Sequence, residues 1–74
     1  MSTRHDVTKR PEGFFHVVLE EAEPDDEIIY HVGEFASGPH KKAAYNAHLA
    51  KQCILYQRKR EDGLFEYTAR KKKP

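Results

Sequence analysis

The sequence holds one cysteine, Cys53, among 74 residues. That excludes an internal disulfide and any multi-cysteine zinc site. No apolar run approaches the roughly 18 residues that a membrane span needs, so none is expected. The first residues, MSTRHDVTKRPEG, lack the apolar stretch of a secretory signal. A lone thiol without an export signal points to the cytoplasm. Glycine is scarce, and Gly33 and Gly38 do not make a phosphate-cradling loop. His-x-x-x-His and Cys-x-x-Cys spacings are missing. His40 and His48 stand two helical turns apart, about 12 Å along an axis, too far to share an ion. Only His16 and His31 could meet, and two ligands make half a zinc site. The acids near residue 25 lack the spaced Asp/Asn and the glycine of a calcium loop. Cys53 falls at a helix end, where the dipole disfavours a thiolate. Ser37 has no base beside it. The expectation is a non-enzymatic chain with no catalytic group, metal or cofactor. A chain of this size buries only roughly 60% of its unfolded surface, which leaves no depth for a catalytic cleft.

Charge is present in quantity and unevenly placed. Residues 1–37 carry three basic and nine acidic side chains, and residues 38–74 carry ten basic and three acidic. The halves therefore stand at −6 and +7, which sum to the net +1 of the whole. The acids concentrate in Glu20, Glu21, Glu23, Asp25, Asp26 and Glu27. The bases concentrate in Arg58-Lys59-Arg60 and Arg70-Lys71-Lys72-Lys73. Such halves bind partners of opposite sign or shield each other.

Residues 1–12 read as a disordered arm, 13–70 as one domain and 71–74 as a basic tail. Residues 14–20 (FFHVVLE) and 27–33 (EIIYHVG) are rich in β-branched and aromatic side chains. The polar stretch EAEPDD between them suits a turn. Paired as a hairpin with Glu20 opposite Glu27, they gather Phe15, Val17, Leu19, Ile28, Tyr30 and Val32 on one face. His16 and His31 then share the other face. Ser37-Gly38-Pro39 is a helix-start signal, and the spacing predicts a helix over about 39–52. Ala43, Ala47, Ala50 and Ile54 form one stripe of it, and Tyr45, Leu49 and Cys53 a second. His40, Lys41, Ala44, His48, Lys51 and Gln52 make a basic face without a carboxylate. Residues 54–60 and 64–70 flank Asp62-Gly63, a strong hairpin signal. A two-residue loop pairs Glu61 with Leu64 and Lys59 with Glu66. It sets Ile54, Tyr56, Phe65, Tyr67 and Ala69 on one face. The predicted fold class is α+β: a small β-β-α-β-β domain of two antiparallel hairpins, in a four-stranded sheet with one helix packed on it.

The basic features carry the functional reading. A helix followed by a basic β-ribbon is a way to grip DNA or RNA, with phosphate held by the hairpin and tail. The candidate nucleic-acid contacts are Lys41, His48, Lys51, Arg58, Lys59, Arg60, Arg70 and Lys71. Tyr56, Phe65 and Tyr67, interleaved with arginines, fit stacking on single strands; as core residues they would leave the arginines snorkelling at the sheet edge. The alternative is an interaction protein or inhibitor. It would dock on a protein complex through the acidic loop, Glu21, Glu23, Asp25 and Asp26, or through a sheet edge. An exposed edge also makes a homodimer possible.

The segments Tyr30-His31-Val32-Gly33, Gly38-Pro39-His40-Lys41-Lys42-Ala43-Ala44, Gln57-Arg58-Lys59 and Phe65-Glu66-Tyr67 resemble small accessory proteins of bacterial viruses and prophages. That resemblance implies a small DNA-binding regulator, or an inhibitor of a host machine such as RNA polymerase or a defence complex. The helix with the strand-turn-strand after it also resembles the last third of a winged-helix domain. The two helices that precede it in that fold have no counterpart here.

Overall fold

The computed structural model describes residues 3–35, 38 and 40–73. It contains β1 (Arg4–Asp6), α1 (Phe14–Glu21), β2 (Glu27–Gly33), α2 (Lys41–Leu49), β3 (Cys53–Lys59) and β4 (Phe65–Lys71). The strands form one sheet in the order β1-β2-β4-β3. β1 runs parallel to β2, and β4 is antiparallel to both β2 and β3. The domain is a small α+β fold, as expected. Its first half is built differently from the expectation.

Residues 14–21 are a helix, not the first strand of a hairpin. Alternation and helical spacing compete in FFHVVLEE. The helix buries Phe15 and Leu19, four residues apart, with Phe14 and Val18 beside them. Val17, which alternation puts inside, is 48% exposed. Gly13 precedes the helix at φ +93°, a conformation open to glycine at little cost. Freed from that hairpin, β2 takes β1 on one side and β4 on the other. Its run Ile28-Ile29-Tyr30 is buried throughout, as a central strand demands. A bulge between Ile29 and His31 shifts the register against β4.

The segment read as an arm also contributes structure. Arg4–Asp6 forms the edge strand β1, and Val7 after it is fully buried. Asp26 fastens this strand. Its carboxylate accepts the backbone N–H of Thr3 at 2.8 Å and of Glu23 at 3.0 Å. It also accepts a bond from His5 Nε2 at 3.1 Å. No acidic side chain in an exposed loop would make those contacts, and Asp26 is 3% exposed.

The second hairpin forms with a register one residue away from the expected one. The loop has three residues, Glu61-Asp62-Gly63. Gly63 N–H donates to Arg60 C=O at 3.1 Å, and Arg60 N–H to Leu64 C=O at 2.7 Å. Gly63 sits at φ +87°, the left-handed position that closes a three-residue loop. Arg58 therefore faces Glu66, and Lys59 faces Phe65. A shift of one exchanges the faces of β3. Cys53 and Leu55 join the core, whereas Ile54 and Tyr56 lie on the side away from the helices.

α2 is shorter than expected and rotated about its axis. His40, Ala44 and Ala47 are buried, with Ala43 packed beside them, while Tyr45 and Leu49 stand 55% and 60% exposed. Small alanines let the backbone approach the sheet, and the two larger side chains are left outside. The start signal at Ser37 and Pro39 lies outside the described residues. The helix ends in a Schellman motif. Gln52 N–H reaches Ala47 C=O at 2.9 Å, and Lys51 N–H reaches His48 C=O at 3.0 Å. Lys51 therefore holds the left-handed position, at φ +64°, rather than extending a basic helical face. His40 is fully buried. Its Nε2 lies 3.0 Å from the Arg10 carbonyl, which can only accept, so that nitrogen carries the proton.

Candidate nucleic-acid interface

The register of β3 against β4 decides which basic residues meet. Cys53 stands opposite Lys71 at one end, and Lys59 opposite Phe65 at the other. Six residue rises separate those ends, about 20 Å. α2 follows the Gly33 end of β2, which pairs with Phe65, and leads back to Cys53. Its first turn therefore lies toward the hairpin tip, and its last turn toward Lys71. The eight candidate residues fall into two groups. Lys41, Arg58, Lys59 and Arg60 share the hairpin-tip end, with Lys42 beside them. His48, Lys51, Arg70 and Lys71 belong to the other end.

The two ends differ electrostatically. At the second end Lys71 is spent inside the fold. Its Nζ donates to the Ala22 carbonyl at 2.7 Å and the Glu20 carbonyl at 3.3 Å, which satisfies the end of α1. The Lys71 ammonium, a candidate phosphate contact in the sequence, is thus turned toward these two carbonyls. Lys73 pairs with Asp25 at 3.9 Å. A groove of about 690 Å³ runs between α1 and the basic tail, and Glu20, Glu21, Glu23, Lys51 and Lys72 all line it. Glu21, Glu23 and Asp25 are exposed there, so charge of both signs is interleaved. Asp26, placed among the loop carboxylates by the sequence, points inward. The Thr3 N–H and then the His5 ring hold its carboxyl below the usual carboxylate range.

The hairpin-tip end differs in having several bases without an ion-pair partner among the described residues. Acids stand among the bases here too: Glu66 lies opposite Arg58, Glu61, Asp62 and Glu66 line one groove with Arg58, Lys59 and Arg60, and Asp62 pairs with Arg60 at 3.4 Å. Lys41, Lys42, Arg58 and Lys59 are exposed and have no ion-pair partner among the described residues. Residues 35–60 contain six lysines and arginines and no carboxylate. On the sheet face away from the helices, Arg4 binds Glu66 at 2.8 Å and Glu27 at 3.5 Å, which removes those carboxylates from competition. Burial raises the Tyr56 phenol, and the neighbouring Glu27 carboxylate adds to it.

Of the three expected stacking aromatics, Tyr56 is half-buried on the sheet face away from the helices, and the other two belong to the core side. Tyr67 is buried, and Phe65 packs against the core. The exposed large side chains include Phe35, Tyr45, Leu49 and Ile54. Tyr45 and Leu49, read from the sequence as one stripe with Cys53, are four apart in α2 and face outward, while Cys53 lies in the core. Cys53 is fully buried and its thiol is pushed up by that burial, so it stays protonated at neutral pH. Among the described residues no three histidine, cysteine or acidic side chains gather as a metal site, and no helix is long and apolar enough to cross a membrane. No family model, curated protein or solved structure matches the chain.

Proposed function

We propose that the protein is a non-enzymatic, cytoplasmic binding module that takes nucleic acid at the hairpin-tip end of its sheet. One observation carries this reading: Lys41, Lys42, Arg58 and Lys59, exposed and without an ion-pair partner among the described residues, lie toward the same end of the domain, where α2 begins and β3 ends. Uncompensated cations so grouped are what phosphate contact requires, and each contact releases condensed counterions. Lys41 and Lys59 approach from the helix side, and Arg58 from the opposite face of the same strand. That arrangement lets one backbone be held on two sides. A helix followed by a basic hairpin also suits a small viral DNA-binding regulator.

The test is a gel shift of full-length protein with Lys41, Arg58, Lys59 and Arg60 each changed to Glu. All four are exposed, so circular dichroism should show the fold intact. Binding should vanish. In the parent protein about four contacts give a log–log salt slope near −3.6 on duplex DNA. A salt-independent interaction that survives the fourfold reversal refutes the reading. A second reading rests on Glu21, Glu23 and Asp25, which are exposed beside the groove at the other end. It expects nuclease-resistant capture of a protein, lost when those three residues become Lys.

A further inference from the structure

We infer, resting on the nucleic-acid reading above, that the ligand is a single strand, laid in a trough between the outer edge of β3 and the flank of α2. β3 is the last strand of the sheet, so no strand among the described residues pairs with its outer side. The hydrogen-bond parity is set by the two bonds that bracket it. Arg60 N–H donates to Leu64 C=O, and Lys72 N–H donates to Gln52 C=O at 3.0 Å. Even-numbered residues of β3 therefore face β4. Cys53, Leu55, Gln57 and Lys59 turn their N–H and C=O groups outward. The Cys53 carbonyl meets His48 Nδ1 at 3.2 Å. That contact brings the flank of α2 over the edge. The outward groups of Leu55, Gln57 and Lys59 have no backbone partner among the described residues.

The wall of the trough follows from the same contact. Lys41, Tyr45 and Leu49 form an i, i+4 row beside His48, so they overlook the edge. Tyr45 and Leu49 are two of the five large apolar side chains the described surface exposes. Backbone donors and acceptors thus lie between an aromatic shelf and a basic rim of Lys41, Arg58, Lys59 and Arg60. No carboxylate of α2 or β3 faces the trough, because neither element has one.

Spacing selects the occupant. Outward residues two apart on a strand lie about 6.6 Å from each other. Bases stacked in a duplex rise about 3.4 Å per nucleotide, and their pairing edges are already used. An unstacked single strand can set successive bases at the wider spacing. Its free base edges meet the open N–H and C=O groups, one base stacks on Tyr45, and the backbone follows the basic rim.

The test uses full-length protein and fluorescence anisotropy with a labelled single strand of about 12 nucleotides, a usual site size, and with its duplex. The single strand should bind at least about tenfold tighter than the duplex. Tyr45→Ala should weaken it by roughly 5- to 150-fold, the range of one base–aromatic stack. Gln57→Pro should weaken it about tenfold or more, because the outward N–H is lost, while the bonds to β4 do not involve that group. Tyr45 is exposed, so its variant keeps the fold even if the proline variant does not. Equal binding of duplex and single strand, with both variants neutral, overturns this inference and leaves the proposed function standing. No binding of either oligonucleotide overturns both. Capture of an extended acidic peptide, sensitive to Gln57→Pro and without oligonucleotide binding, assigns the trough to strand addition by a protein and likewise overturns both.

Discussion

Lys51 occupies a backbone position that suits glycine, and replacing it with Gly should stabilise the protein. The residue closes the Schellman motif after α2 at φ +64°. A side chain in that conformation costs roughly 1–2 kcal/mol, because Cβ crowds the following carbonyl. Glycine avoids that cost but gives back about 0.5–1 kcal/mol through the greater freedom of its unfolded chain. The net gain is about 0.5–1 kcal/mol. For a domain of this size, that raises Tm by about 3–6 °C. The Lys51 side chain is exposed and makes no ion pair among the described residues, so no lost contact should offset the gain. Urea unfolding with an unchanged m-value would isolate the effect on stability. Lys51→Ala keeps Cβ and serves as the control, with a change within about 0.5 kcal/mol. If the glycine variant is no more stable than the alanine one, the left-handed conformation carries no strain and the reasoning fails.

Other perturbations probe other joints. Asp26 titrates below the ordinary carboxylate value in the folded chain, so its contribution is complete above about pH 4 and is lost as pH falls through the lowered value. Urea midpoints from pH 7 to pH 2 should fall in acid, and Asp26→Asn should flatten that fall; an identical acid profile in the variant would contradict it. Gly63→Val should destabilise the second hairpin by about 1 kcal/mol or more, since a β-branched residue resists the φ of +87° there. Unchanged thermal unfolding would mean the turn does not need that conformation.

Much of the second half was legible because local chemistry determines it. Asp62-Gly63 announces a turn, and the alternation on either side announces two strands. The register was not legible, since the same dipeptide closes loops of two or three residues and the two choices expose opposite faces of β3. In residues 14–21 both periodicities were present. The choice goes with distant pairings: β4 takes one edge of β2 and β1 the other, which leaves no place for a hairpin partner. Arg4–Asp6 carries too little pattern to read as a strand, because it depends on Asp26, some twenty residues later. The site followed the same division. Lys41, Arg58, Lys59 and Arg60 could be named from charge alone. That Lys71 caps a helix, and that Tyr45 rather than Tyr67 is accessible, depend on topology and register.

The strand order β1-β2-β4-β3 also bears on how the chain is made. β4 sits inside the sheet but is the last of the six elements to be synthesised, and it is the strand that joins β2 to β3. A nascent chain that has reached only Gly63 has no partner for β3, and for β2 only the three residues of β1. Helices can flicker in and out at that stage, but the sheet against which they pack does not exist. The sheet therefore cannot be completed until residues 65–71 have left the ribosome, because its long-range pairings need β4. Until then the apolar run Ile28-Ile29-Tyr30 is uncovered. The acidic residues just before it keep that segment charged during the interval when it is most prone to find another chain.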